Sequence, residues 1–429
     1  MKKYTYIAVC TFSLLIAGCA DNSDSPDASK PTICPPDPIE LHRPSYDYAD
    51  AKPLKDVAVE NTVRANGFAT RLFRFLYDDK DYKGNVCVSP ASVFCTFAMM
   101  ANGDDGECRD EILTMLGYGN GADALNDLNV YANALLRETS MFDGATQCGF
   151  TNSIWHRPGI NIYPDFSKDI EGIFGGLMLP IWIGDEAGKE AINNFVSGQT
   201  CGMIYPFLES PLPVDLAFLN TTYFKGAWET AFVKELTEDG VFHNLDGSKS
   251  STPFMMTLEN SFDYAEADGI RCLRLPYKGE RYSMTILQPL ADTGKEFDGF
   301  LETLDSKAIV NYENGLQRQT FILQMPKFET EINENILAPL KRMGIDRTCS
   351  IGLNKVADMA LPLALFQHAV RIIVDEEGTE GGAASLGGML GSSGAEYTPK
   401  RIKIDSPFVY LIRDVQSGTV LFMGAVTAL

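Results

Sequence analysis

The chain has 429 residues, 45% of them apolar, and a formal net charge of −21 at pH 7. That size allows a large buried core without disulfide staples, and the acidity argues against a nucleic-acid partner and for solubility. Ten cysteines occur without any C-x-x-C pair, which excludes the common zinc spacings.

Residues 1–18 have the layout of a secretory leader: Lys2 and Lys3, then an apolar run from Ile7 to Leu15. That run is too short to cross a bilayer as a permanent helix. It ends in Ile16-Ala17-Gly18-Cys19, which resembles a bacterial lipobox. The resemblance implies lipidation of Cys19 and attachment to the cell envelope, at the outer membrane or cell surface. The alternative is an ordinary leader with an accidental cysteine. Loss of Lys2 and Lys3 with the leader takes the net charge from −21 to −23. Residues 19–55 read as a flexible acidic tether, opening Ala20-Asp21-Asn22-Ser23-Asp24 and punctuated by Pro31, Pro35, Pro36 and Pro38. Its acidic start resembles surface-export signals of Bacteroidota lipoproteins. No later apolar run is long enough for a membrane helix, so the lipid is the only anchor expected.

Residues 56–429 interleave helical and strand patterns without a linker or repeat and predict one α+β domain with a substantial sheet. Helical spacing marks residues 66–76, through Phe68, Leu72, Phe75 and Leu76. Ser89-Pro90 is a helix start, the serine capping free amides and the proline suiting the first turn. Residues 122–137 and 189–196 are further helices, and residues 215–224, 283–287, 319–325, 370–375 and 419–426 read as strands. No nucleophile elbow, H-E-x-x-H helix or phosphate loop occurs, so no enzyme is expected. His368, at the head of an apolar strand, reads as a satisfied core histidine. Cys87 and Cys95, inside apolar runs, read as buried small hydrophobes.

Five segments then resemble serpin markers in the family's order: Asn85 to Ser92, Asn220 to Trp228, Leu275-Pro276-Tyr277, Met325-Pro326-Lys327-Phe328, and Ser406-Pro407-Phe408 with Leu421-Phe422-Met423-Gly424. The resemblance implies the serpin fold: three β-sheets, about eight to nine helices and an exposed reactive loop. It also implies a suicide inhibitor of serine-type endopeptidases, monomeric and without cofactor or metal. The alternative is a non-inhibitory serpin acting as protease substrate, binding protein or chaperone.

The segment Glu376-Glu377-Gly378-Thr379-Glu380-Gly381-Gly382-Ala383-Ala384-Ser385 resembles the hinge of the reactive loop. An inhibitory serpin offers this loop as bait; once cut, the loop enters the main sheet as a new strand and traps the acyl-enzyme. A central strand tolerates no proline, and none occurs from Glu377 to Thr398. Alternate positions Thr379, Gly381, Ala383, Ser385, Gly387, Met389 and Gly391 carry no charge, which suits a core-facing side. Gly381-Gly382 departs from the family's usual Ala-Ala, and each glycine weakens a strand by roughly 0.5–1 kcal/mol. In the uncut protein Thr379 is expected at the edge where insertion begins, where a large substitution would leave folding intact.

The resemblance also assigns Ser89, Ser92, Asn220 and His368 to a polar cluster under the point where the sheet parts, and Trp228 with Glu376 to its top. The scissile bond falls after Ser392 counting forward from Glu376, or after Glu396 counting back from Pro407. Candidates in that region are Met389, Leu390, Ser392, Ser393, Ala395, Glu396 and Tyr397. With no Lys or Arg among residues 377–399, the expected targets are elastase-, chymotrypsin- or subtilisin-like, not trypsin-like.

Overall fold

The computed structural model describes residues 52–79, 84–139, 146–290, 296–379 and 398–429, all within the unit Asp37–Leu429. Cys19, hinge residues 380–385 and every scissile-bond candidate lie outside the described residues. Ten helices form among those described: α1 (Val59–Tyr77), α2 (Pro90–Ala101), α3 (Glu107–Met115), α4 (Ala122–Thr139), α5 (Pro164–Phe174), α6 (Glu186–Gln199), α7 (Phe297–Thr303), α8 (Ser306–Asn314), α9 (Leu337–Arg342) and α10 (Asp346–Ser350). The count slightly exceeds the eight to nine that the resemblance implies, and two of the ten, α9 and α10, are only six and five residues long.

The strands are β1 (Val86–Val88), β2 (Thr146–His156), β3 (Leu177–Leu179), β4 (Leu216–Ala227), β5 (Val233–His243), β6 (Lys249–Met256), β7 (Asn260–Ala267), β8 (Ile270–Pro276), β9 (Tyr282–Pro289), β10 (Gln317–Pro326), β11 (Phe328–Asn335), β12 (Gln367–Val374), β13 (Gly378–Thr379), β14 (Arg401–Lys403), β15 (Phe408–Asp414) and β16 (Val420–Val426). Six of them make a sheet in the order β11-β12-β13-β4-β2-β3. Ten others follow β1-β16-β15-β9-β8-β7-β10-β6-β5, with β14 beside β10. Within this second ladder β10 serves two groups: Gln317 to Phe321 pair with β7, while Gln324 to Pro326 pair with β6. The second and third sheets of the α+β fold are therefore joined through one shared strand.

Local chemistry explains the elements that frame the six-stranded sheet. Ser89 Oγ accepts from the Ser92 amide at 3.3 Å and Pro90 occupies the first helical position, so α2 starts at the expected place. Every residue of α2 is buried. It packs beneath the sheet with β15 and β16, whose residues are buried on both faces. Helix α6 covers the opposite face, where Ile192 and Val196 meet Trp155 and Leu219. No helix among the described residues is long and apolar enough to cross a membrane. Cys87, Cys95, Cys108, Cys148 and Cys272 are buried with free thiols, as a core role requires.

Candidate functional site

Strand β12 ends at Val374 and the chain reverses at once. Asp375 Oδ1 accepts from the amides of Glu377 (2.9 Å) and Gly378 (3.1 Å), and its own N–H donates to the Gly378 carbonyl at 3.0 Å. An aspartate that bonds amides two and three residues onward is a strong local turn former. The returning strand β13 enters between β12 and β4: Thr379 pairs with Val374 on one side and Gly226 on the other, and Gly378 pairs with Ala227.

Only glycine fits at 378, since a Cβ there would stand 2.0 Å from the Gly226 carbonyl oxygen. Thr379 is 0% exposed, its hydroxyl 2.6 Å from the phenolic oxygen of Tyr277. This corrects the expectation that Thr379 sits at an open edge in the uncut protein: it already points into the core, so a large charged substitution would strain the resting state too. Tyr277 stacks on Trp228, with ring centroids 4.6 Å apart and planes within 11°. Trp228 in turn donates from its backbone N–H to the Glu377 carbonyl and from Nε1 to the Asp375 carbonyl, both at 2.9 Å.

Two carboxylates fasten the turn from outside. Glu376, 6% exposed, accepts from Lys327 Nζ and Thr237 Oγ1, each at 2.8 Å. Burial pushes its carboxyl up, but the bonds from Lys327 and Thr237 outweigh burial and hold it below its ordinary value. Glu377 is ion-paired with Lys234. Gly226 and Trp228, Tyr277, and Lys327 lie in three separate markers of the sequence, and all three markers meet at residues 375–379. The sequence reading singled out Trp228 and Glu376 here but missed Tyr277, Lys327, Thr237 and Lys234. The first two were in view inside their markers; Thr237 and Lys234 carried no sequence signal.

The remaining predicted positions fall into two groups lower in the sheet. The Ser89 amide donates to His368 Nε2 at 3.2 Å, and Ser89 Oγ donates to the Leu421 carbonyl at 3.0 Å while capping Ser92. Burial lowers the His368 imidazole to about 3, so it is a neutral acceptor. Asn220 bonds instead to Asn152 Oδ1 at 2.6 Å and accepts from Thr222 at 3.0 Å. Trp228 lies eight positions past the Asn220–Asn152 level, two past Gly226, roughly 25 Å further along the chain.

Gly378 and Thr379 thus occupy the position between β12 and β4. A family model described as serpin (serine protease inhibitor) matches residues 63–429. The chain belongs to the serpin family. It is similar to Iripin-2 of Ixodes ricinus, 30% identical over 86% of this chain and 93% of that one. It is also similar to the leukocyte elastase inhibitor of Equus caballus, 28% identical over 83% of this chain and 96% of that one. Human thyroxine-binding globulin, complexed with thyroxine, shares the fold, with a TM-score of 0.76 and 21% identity over 86% of this chain and 99% of that one. Members of this family are in general protease inhibitors and not enzymes. The sixteen strands and ten helices among the described residues are the family's α+β architecture.

Proposed function

We propose that this serpin is a suicide inhibitor of serine-type endopeptidases, trapping the acyl-enzyme as the cut loop, residues 377–398, enters the six-stranded sheet between β12 and β4. The observation that carries the reading is the seating of Gly378 and Thr379 in that position before any cut. A protease that attacks the loop becomes esterified to its upstream part. Insertion then competes with hydrolysis of the ester, and the first ladder pairs are already made. Roughly a dozen further ladder bonds at about 1 kcal/mol each supply on the order of 10 kcal/mol for the rest. Residues 381–385 are all small and uncharged, so nothing in that stretch opposes entry into a packed sheet.

The test is to mix the protein with elastase, chymotrypsin, subtilisin and trypsin and look for a complex that survives denaturant. The mass of the C-terminal peptide freed by denaturation fixes the bond, after Ser392, after Glu396 or elsewhere. A cut without a complex overturns inhibition in favour of a substrate or binding role.

For the anchor, we propose that Cys19 is acylated and holds the serpin on the cell envelope through the tether 19–55. The lipobox-like triplet before it supports this. Intact-mass measurement of the membrane fraction should show a lipidated Cys19 as first residue, and Cys19→Ala should leave the precursor unprocessed. An unmodified Cys19 overturns it.

A further inference from the structure

A cavity of about 260 Å³ opens at the foot of the six-stranded sheet, between the first residues of β4 (216–219) and the segment 360–367 that leads into β12. Met100 of α2 and Leu353 line it from the core side of the sheet, while Ile192 of α6, Phe207 and Leu208 line it from the opposite side. Side chains from both layers can share one hole only where the sheet between them is interrupted. Among the described residues no strand separates β12 from β4 below β13, so the cavity passes through the plane of the sheet.

Of the lining side chains only Asp215 and Gln367 are polar, and both are engaged elsewhere. Asp215 Oδ1 is paired with Arg157 Nε at 2.8 Å, and the Gln367 amide donates to Asn333 Oδ1 at 2.7 Å. A charged occupant would therefore give up its water and find no partner. Phe207, Phe218 and Phe366 supply ring surface, which suits an aromatic or other compact ring system. The mouth is the uncharged run Leu361-Pro362-Leu363-Ala364-Leu365. An engineered apolar cavity of roughly 150 Å³ stays dry and takes up benzene; this larger one suits a body of about two fused rings.

We propose that this cavity binds a small uncharged ring compound in the intact protein, and that the occupant bars the loop from the foot of the sheet. An incoming strand and a molecule lying in the plane of the sheet cannot share the same space. Occupancy therefore favours the intact form by mass action and gives hydrolysis of the acyl-enzyme time to outrun insertion. The binding stands on the cavity alone; the bar rests on the insertion reading above.

The probe is N-phenyl-1-naphthylamine, which is uncharged and fluoresces in apolar surroundings, titrated into the intact full chain. Binding should saturate at one site per chain, and the thermal midpoint of the intact protein should rise with probe concentration. Leu363→Trp fills the mouth and should weaken binding by about tenfold or more. Ala364→Trp, at a more exposed lining position, is the second filler should Leu363→Trp not fold. Leu258→Trp, exposed and outside the cavity, should leave the affinity as it is. Binding that does not saturate in the parent, or equal affinity in a folded filler, overturns the site. With a protease that the parent traps, saturating probe should raise the number of inhibitor molecules consumed per protease trapped; an unchanged ratio overturns the bar. A parent that is cut without trapping any protease sinks the insertion reading and the bar together, while the titration still decides the site.

Discussion

The hydroxyl of Thr379 lies 2.6 Å from the phenolic oxygen of Tyr277, and neither side chain is exposed. This contact adds a side-chain tie to the ladder pairs that already hold Thr379 between Val374 and Gly226 in the resting molecule. Tyr277→Phe removes the partner and leaves a buried hydroxyl unsatisfied, which costs about 1–3 kcal/mol. Chemical denaturation of the uncut protein should show that loss. Thr379→Arg is harsher, since an unpaired guanidinium cannot stay there without a penalty of several kcal/mol. That variant should be cut by the target protease and release it active. Trapping at the parent's stoichiometry would show that insertion does not begin at this hinge.

Gly378 has no room for a side chain. Gly378→Ala places a methyl against the Gly226 carbonyl, and backbone on both sides cannot yield cheaply. The variant should expel β13 from the sheet at a cost of roughly 1–3 kcal/mol. Hydrogen exchange at the Trp228 amide, which donates to Glu377, reports the expulsion directly. Unchanged protection there would mean that the close approach is relieved in some other way.

Acid should weaken the fold in two stages. The native His368 value of about 3 lies below the ordinary 6.5, so as pH falls below 6.5 the unfolded chain takes a proton that the native one refuses. Stability is full above 6.5 and declines by up to about 1.4 kcal/mol per pH unit towards 3. Glu376 adds a second loss. Its carboxyl is held below 4.5, so its contribution is complete above that value and disappears as pH falls through the native one. His368→Gln keeps an acceptor for the Ser89 amide and should remove roughly 2–3 kcal/mol of pH dependence between 6.5 and 4.5. A parent whose stability is flat over that window would contradict the buried neutral imidazole.

Specificity follows from what the loop lacks. With no Lys or Arg between Glu377 and Pro399, a pocket closed by a buried carboxylate finds no cation. Elastase- or subtilisin-type enzymes should be trapped and trypsin should not. Fast, stoichiometric trapping of trypsin at the loop would overturn this.

Much of this was legible in the sequence because it is local. Ser89-Pro90 announces α2 by cap chemistry, and the β4 strand shows in its apolar run. The hinge shows in a run of small residues that a packed sheet can accept. The seating of Thr379 was not legible, because it depends on pairs between residue 379 and positions 226 and 374 and on a phenol 102 residues away. The same holds for the grip of Lys327 and Thr237 on Glu376. The resemblance put Asn220 in one polar cluster with Ser89, Ser92 and His368, yet its amide is spent on Asn152 across the β2–β4 ladder. Which of two nearby polar groups a side chain chooses is decided by strand register, and register is invisible to composition and periodicity.

Strand β14 follows the loop and pairs in parallel with β10, in the ten-stranded ladder, whereas β13 precedes the loop and belongs to the other sheet. The two stumps of a broken loop are thus owned by different ladders. The upstream stump is free to travel with its sheet, while everything from Arg401 onward stays knitted in by β14, β15 and β16, the last two buried throughout. The nicked molecule should migrate at its full native size as a two-chain particle, and its small C-terminal partner should come away only when the whole body is unfolded.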